Sequence, residues 1–151
     1  MGTWQIMRTG VMAFALAASL AWAGNEGPTA PAGFSKIVLG SSGGFAGGGN
    51  GKAMTVDENG KIVTRNRGKQ QDGNLKAEEL EHLKKLVAAM DWKGVKALYN
   101  AGADMFMSDS AVTVDGEVRR TSVSEIRPKN VPKCLAALLD YLNALYESHK
   151  P

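Results

Sequence analysis

The run Gly40-Ser41-Ser42-Gly43-Gly44 has the G-x-S-x-G spacing of a nucleophile elbow, where a strained strand-to-helix turn exposes a serine hydroxyl. That chemistry needs a helix directly after the turn and a histidine as general base. Phe45-Ala46-Gly47-Gly48-Gly49 cannot begin a helix cheaply, because ordering glycine gives up more backbone freedom than ordering any other residue. His82 sits among acids on a helix face, and His149 falls at a C-terminal end expected to fray. Gly51-Lys52 resembles the close of a phosphate loop, but Ala46 stands where the leading glycine belongs and Ala53 where a serine or threonine must reach the metal. Glu78 and His82 are four residues apart, on one helical face, without a third ligand to complete a metal site. The sequence therefore points away from an enzyme and from any cofactor.

What remains unusual is the glycine-rich stretch from Gly40 to Gly51, interrupted by one aromatic, Phe45. It follows Lys36-Ile37-Val38-Leu39, an apolar run expected to be a strand. A glycine loop on a strand end implies unusual backbone angles, a close approach to a ligand, or a surface that adapts to a partner.

The elements that must position this loop follow from pattern. Lys52–Val56 and Lys61–Arg65 flank Asp57-Glu58-Asn59-Gly60, a hairpin signal. Gly68 to Gly73 is expected to be polar loop. From Ala77 to Met90 the apolar residues Leu80, Leu83, Leu86, Val87 and Met90 recur at helical steps, with Glu78 and Glu79 early and lysines later, as the helix dipole favours. A short helical turn is expected over Trp92–Tyr99. Asp104–Val114 and Glu117–Ser124 form a second hairpin about Asp115-Gly116, and Pro132 opens a last helix striped by Leu135, Leu138, Leu139, Leu142 and Leu145. The expected order is β-β-β-α-β-β-α, an α+β fold with two hairpins, an N-terminal strand and two helices on one face of an antiparallel sheet.

Ahead of this domain lies an address. Arg8 is the one charge before the apolar run Val11–Leu20, which is too short to span a bilayer, and Ala21-Trp22-Ala23 supplies a small-x-small cleavage pattern. Residues 1–23 thus read as a signal peptide, 24–33 as a disordered mature N-terminus, and 34–151 as one domain of a periplasmic or secreted protein. Without Arg8 the mature chain has 17 basic and 15 acidic side chains (18 − 1 against 15), near-neutral and no argument for nucleic acid or membrane binding. Arg65-Asn66-Arg67 and Arg119-Arg120 read as solvated strand faces. Cys134 is the single cysteine, so no internal disulfide forms, and its leucine neighbours mark it as a small buried side chain.

Taken together, Ser42-Gly43-Gly44-Phe45-Ala46-Gly47 after a strand, the Asp57–Gly60 hairpin, the Ala77–Met90 helix, the Asp104–Ser124 hairpin and a final helix entered by Val131-Pro132 resemble the emfourin family, small bacterial protein inhibitors of thermolysin-like zinc metallopeptidases. The resemblance spans Phe34 to Tyr146, and its one sharp motif is S-G-G-F-A-G. The export signal and the longer, glycine-richer loop depart from the family pattern. The resemblance implies a monomeric inhibitor that docks in the active cleft of a secreted or periplasmic metallopeptidase through Ser42, Gly43, Gly44, Phe45, Ala46 and Gly47. Phe45 is then the apolar anchor, since such enzymes favour bulky apolar side chains beside the scissile bond; the other reading places it in the core. Two other functions stay open: a non-catalytic interaction module of the envelope, and a small-ligand carrier with a pocket lined by Met54, Met105, Phe106 and Met107. Mass spectrometry of the exported protein is expected to find Gly24 as its N-terminus; an intact Met1 overturns the address.

Overall fold

A computed structural model of the protein describes residues 33–43 and 51–151. The expected signal peptide and most of the expected disordered N-terminus lie outside the described residues, as do Gly44, Phe45, Ala46 and Gly47. The elements are β1 (Phe34–Gly43), β2 (Lys52–Asp57), β3 (Lys61–Asn66), β4 (Lys69–Asn74), α1 (Ala77–Ala88), β5 (Leu98–Tyr99), β6 (Phe106–Val114), β7 (Glu117–Ser124) and α2 (Lys133–His149). The strands form one seven-stranded sheet in the order β4-β3-β2-β1-β6-β7-β5, antiparallel except where β5 joins β7. The fold is α+β, as expected, with more strands than the pattern revealed.

The strand period explains the layering. Ile37 and Leu39 of β1, Met54 and Val56 of β2, Ile62 of β3, Val112 of β6 and Val123 of β7 are buried and alternate with more exposed residues. They share one core with Leu83 and Val87 of α1 and with Leu135, Leu138, Leu139, Leu142, Leu145 and Tyr146 of α2. The steps of three, one, three, three and one along α2 draw a continuous apolar stripe, which makes it the main cover of the sheet. The opposite sheet face carries exposed Val38 and Val118. Helix α1 starts on a half capping box, the Lys76 amide donating to the Glu79 carboxylate at 2.8 Å.

Four expectations are corrected. The segment expected as polar loop, Gly68–Gly73, is mostly β4: its side chains are polar and mainly exposed, but its backbone pairs with β3 from Lys61↔Asn74 to Asn66↔Lys69. Backbone pairing overrides weak strand propensity where a tight turn delivers the chain back to an unpaired edge. The expected helical turn over Trp92–Tyr99 is instead a series of turns ending in β5, where buried Tyr99 lets its hydroxyl accept the Lys96 amide at 2.9 Å. The glycine loop does not begin at Gly40, because β1 continues to Gly43 by pairing with β6 through Gly40↔Asp109, Ser41↔Ser108, Ser42↔Met107 and Gly43↔Phe106. The C-terminus is not frayed at His149, whose carbonyl accepts a 2.6 Å hydrogen bond from buried Thr64 of β3.

Cys134 is half-buried against the core, as a thiol. Leu138→Ala removes a fully buried side chain of α2 and is expected to lower the unfolding free energy by about 2–5 kcal/mol. Reductant is expected to leave the denaturation midpoint unchanged, and chemical denaturation with and without it checks both.

Candidate functional site

The sheet end where β1 stops and β2 begins holds the unusual backbone. Gly43 closes β1 at φ 82°, and Gly51 precedes β2 at φ 75°. A methyl group on Gly43 would lie 2.5 Å from the Met105 carbonyl oxygen, so both the angle and the space demand glycine there. Gly43 thus lets the chain leave the sheet hard against the segment that enters β6. Ser42, one residue earlier, is exposed within β1 rather than on a strand-to-helix turn, so the nucleophile-elbow geometry is not formed.

Next to Gly43 across the ladder stands Phe106, an exposed large apolar side chain at the first position of β6. Its backbone is held on both sides, since its carbonyl also accepts the Glu125 amide at 2.9 Å. The proposed ligand pocket is not assembled as expected: Met54 is buried in the core, Phe106 is exposed, and Met107 receives the Ser124 hydroxyl at its sulfur, 3.6 Å away. Ser124 belongs to a tight polar knot: its oxygen accepts the Ala101 amide at 2.8 Å, and the Tyr99 carbonyl at 3.3 Å and the Asn100 amide oxygen at 3.1 Å share its one hydroxyl proton with the Met107 sulfur.

Lys52, the first residue of β2, is the charged centre of this end. Its ammonium donates to Asn143 Oδ1 at 2.6 Å and lies 4.5 Å from the centre of the Tyr146 ring, a cation–π distance. Asn143 in turn donates to the Leu139 carbonyl at 2.9 Å, which orients its amide oxygen toward the lysine. Burial pushes the Lys52 ammonium below its ordinary pKa, opposed by the Glu147 and then the Glu125 carboxylate. These contacts tie the start of β2 to α2, and Tyr146 extends the tie by donating to the Arg65 carbonyl at 3.2 Å. A polar cleft of about 300 Å³ opens beside Lys52, with Ser108, Glu125, Arg127 and Glu147 on its walls.

Of the expected target-binding residues, the structure describes Ser42 and Gly43 and places both at the very end of the central strand. Sequence reasoning did not single out Lys52 as a structural tie, nor Phe106 as the exposed partner of Gly43. Phe106 shares its strand face with buried Ser110 and Val112, so alternation along β6 points it toward the core, and its exposure had no signal in the sequence. Glu78 and His82 stand together on exposed α1, and His82 meets the Tyr141 ring edge-on at 4.5 Å. Among the described residues, no group of histidine, cysteine and carboxylate side chains has the arrangement of a metal site.

Set against known proteins, the chain matches no family model and has no significant similarity to a curated protein.

The two glycines of β1 separate backbone demand from mere composition. Gly43→Ala is expected to destabilise the fold by more than about 1 kcal/mol, because positive φ and a carbonyl contact oppose the methyl group. Gly40→Ala, whose nearest neighbour would be 3.9 Å away, is expected to change stability by less than about 0.5 kcal/mol. Equal losses at both positions in urea unfolding would refute this distinction.

Proposed function

We propose that the protein is an exported inhibitor of thermolysin-like zinc metallopeptidases that docks to the active-site cleft through its glycine-rich loop. The observation that carries this reading is the way the loop is anchored. It leaves β1 at Gly43 and re-enters the sheet at Gly51, and β1 is the central strand, paired on both sides. A loop whose two ends are fixed in one rigid sheet needs less ordering on docking, which favours affinity. The resemblance of Ser42-Gly43-Gly44-Phe45-Ala46-Gly47 to the emfourin motif supplies the partner class. The glycines let the backbone come close to a cleft, and Phe45 supplies the apolar anchor. Exposed Phe106 offers a second apolar contact opposite Gly43, on a backbone already held by β1. The expected signal peptide places the protein in the compartment of secreted peptidases.

Incubating the protein that begins at Gly24 with a thermolysin-like enzyme tests the reading, with peptide hydrolysis as the readout. Wild type is expected to inhibit at near-stoichiometric ratios. Phe45→Ala is expected to weaken inhibition by about 2 kcal/mol or more, the usual threshold of an interface hot spot, with its unfolding midpoint unchanged. Full activity of the enzyme in excess wild-type protein removes the inhibitor reading and leaves the non-catalytic envelope module.

A further inference from the structure

Two hairpins of this chain turn on two residues, both at positive φ. Asp115 and Gly116 (φ 52° and 78°) join β6 to β7, and Arg67 and Gly68 (φ 46° and 83°) join β3 to β4. This turn favours asparagine, aspartate or glycine at its first position, because their small or locally hydrogen-bonding side chains tolerate the left-handed region. The first hairpin obeys the preference. The second places a long arginine there, although Asn66 stands one residue earlier. A strained residue held by a well-paired hairpin is a reason to ask what its side chain serves.

Arg67 lines a hollow of about 280 Å³ with Lys52, Asn66, Tyr146, Glu147 and Lys150. The turn is seated against the start of β2: a methyl group on Gly51 would lie 3.2 Å from the Arg67 amide nitrogen. Three cationic side chains from three separate elements therefore converge beside Gly51, in a chain whose overall charge is close to balanced. Glu147 opposes them and is paired with Lys150, and the C-terminal end of α2 adds partial negative charge. A hollow with net positive charge, two planar or amide donors (Arg67 and Asn66) and a built-in opposing carboxylate suits a singly charged planar anion better than a dianion.

The geometry points to a carboxylate-binding corner, built on Arg67 with Lys52 and Lys150, that receives an acidic side chain of the protein met by this end of the sheet. It rests on the reading that this end docks a protein partner, and adds to it the charge of the partner's surface beside the cleft. The strained turn is the means by which the arginine reaches that surface.

Titrating the isotope-labelled protein from Gly24 with a hexaglutamate peptide, followed by amide chemical shifts, tests the corner without the peptidase. Shifts are expected at Lys52, Asn66–Gly68 and Tyr146–Lys150. Arg67→Asn is expected to weaken peptide binding about tenfold, the loss of one charge-assisted contact, while raising the melting temperature because asparagine suits the turn. Arg67→Lys is expected to retain part of the binding. Absence of shifts at this corner, or an Arg67→Asn variant that binds as wild type or melts no higher, overturns the proposal. Inorganic phosphate shifting the same resonances at lower concentration than the peptide overturns the carboxylate assignment. Peptide binding here by a protein that leaves the peptidase uninhibited upholds the corner and overturns the inhibitor reading alone.

Discussion

The pairing of β1 on both of its edges is the constraint on which the molecule depends. β1 meets β2 from Lys36↔Asp57 to Gly40↔Ala53, and meets β6 from Phe34↔Val114 to Gly43↔Phe106. Because side chains alternate with period two, a slip of one residue would turn fully buried Ile37 and Leu39 to solvent and bring Val38 and Lys36 into the core. Burial against α2 thus selects the register, and the register in turn decides which residue ends the strand. The pairing with β6 outlasts the pairing with β2 by three residues, so the glycine-rich segment is released only at Gly43.

Glycine plays two distinct parts along this stretch. Gly40 is an ordinary strand residue whose Cβ would meet the Lys52 carbonyl at an unstrained 3.9 Å, whereas Gly43 combines left-handed backbone with a carbonyl oxygen 2.5 Å from the place of a Cβ. Gly60 makes a third case: at φ 85° it ends the β2–β3 turn under Leu80 of α1, and a methyl group there would press on that leucine at 3.3 Å. The Asp57 carboxylate completes the same turn by accepting the Asn59 and Lys61 amides, both at 2.9 Å.

The polar contacts between α2 and the sheet gather where β2 starts and β3 ends. Lys52 to Asn143, Tyr146 to the Arg65 carbonyl and Thr64 to the His149 carbonyl lock the second half of α2 across β2 and β3. Elsewhere α2 is held mainly by leucines, which fill space without fixing orientation as sharply. The hydrogen bonds therefore set how α2 lies over β2 and β3, and so where Asn143 and Tyr146 meet the Lys52 ammonium.

Both helices, the two principal hairpins and the α+β class were legible in the amino-acid pattern, because these follow from local signals: leucine spacing of three and four, and Asn-Gly or Asp-Gly between β-branched runs. β4 and β5 were not legible. Lys69–Asn74 has no apolar alternation and Leu98–Tyr99 is too short to show one, and each becomes a strand only because an edge of β3 or β7 offers unpaired backbone groups. The extension of β1 to Gly43, the exposure of Phe106 and the meeting of Lys52, Arg67 and Lys150 likewise belong to the tertiary structure alone. Each depends on which strand lies beside which, and that is decided by long-range burial rather than by any residue's own preference.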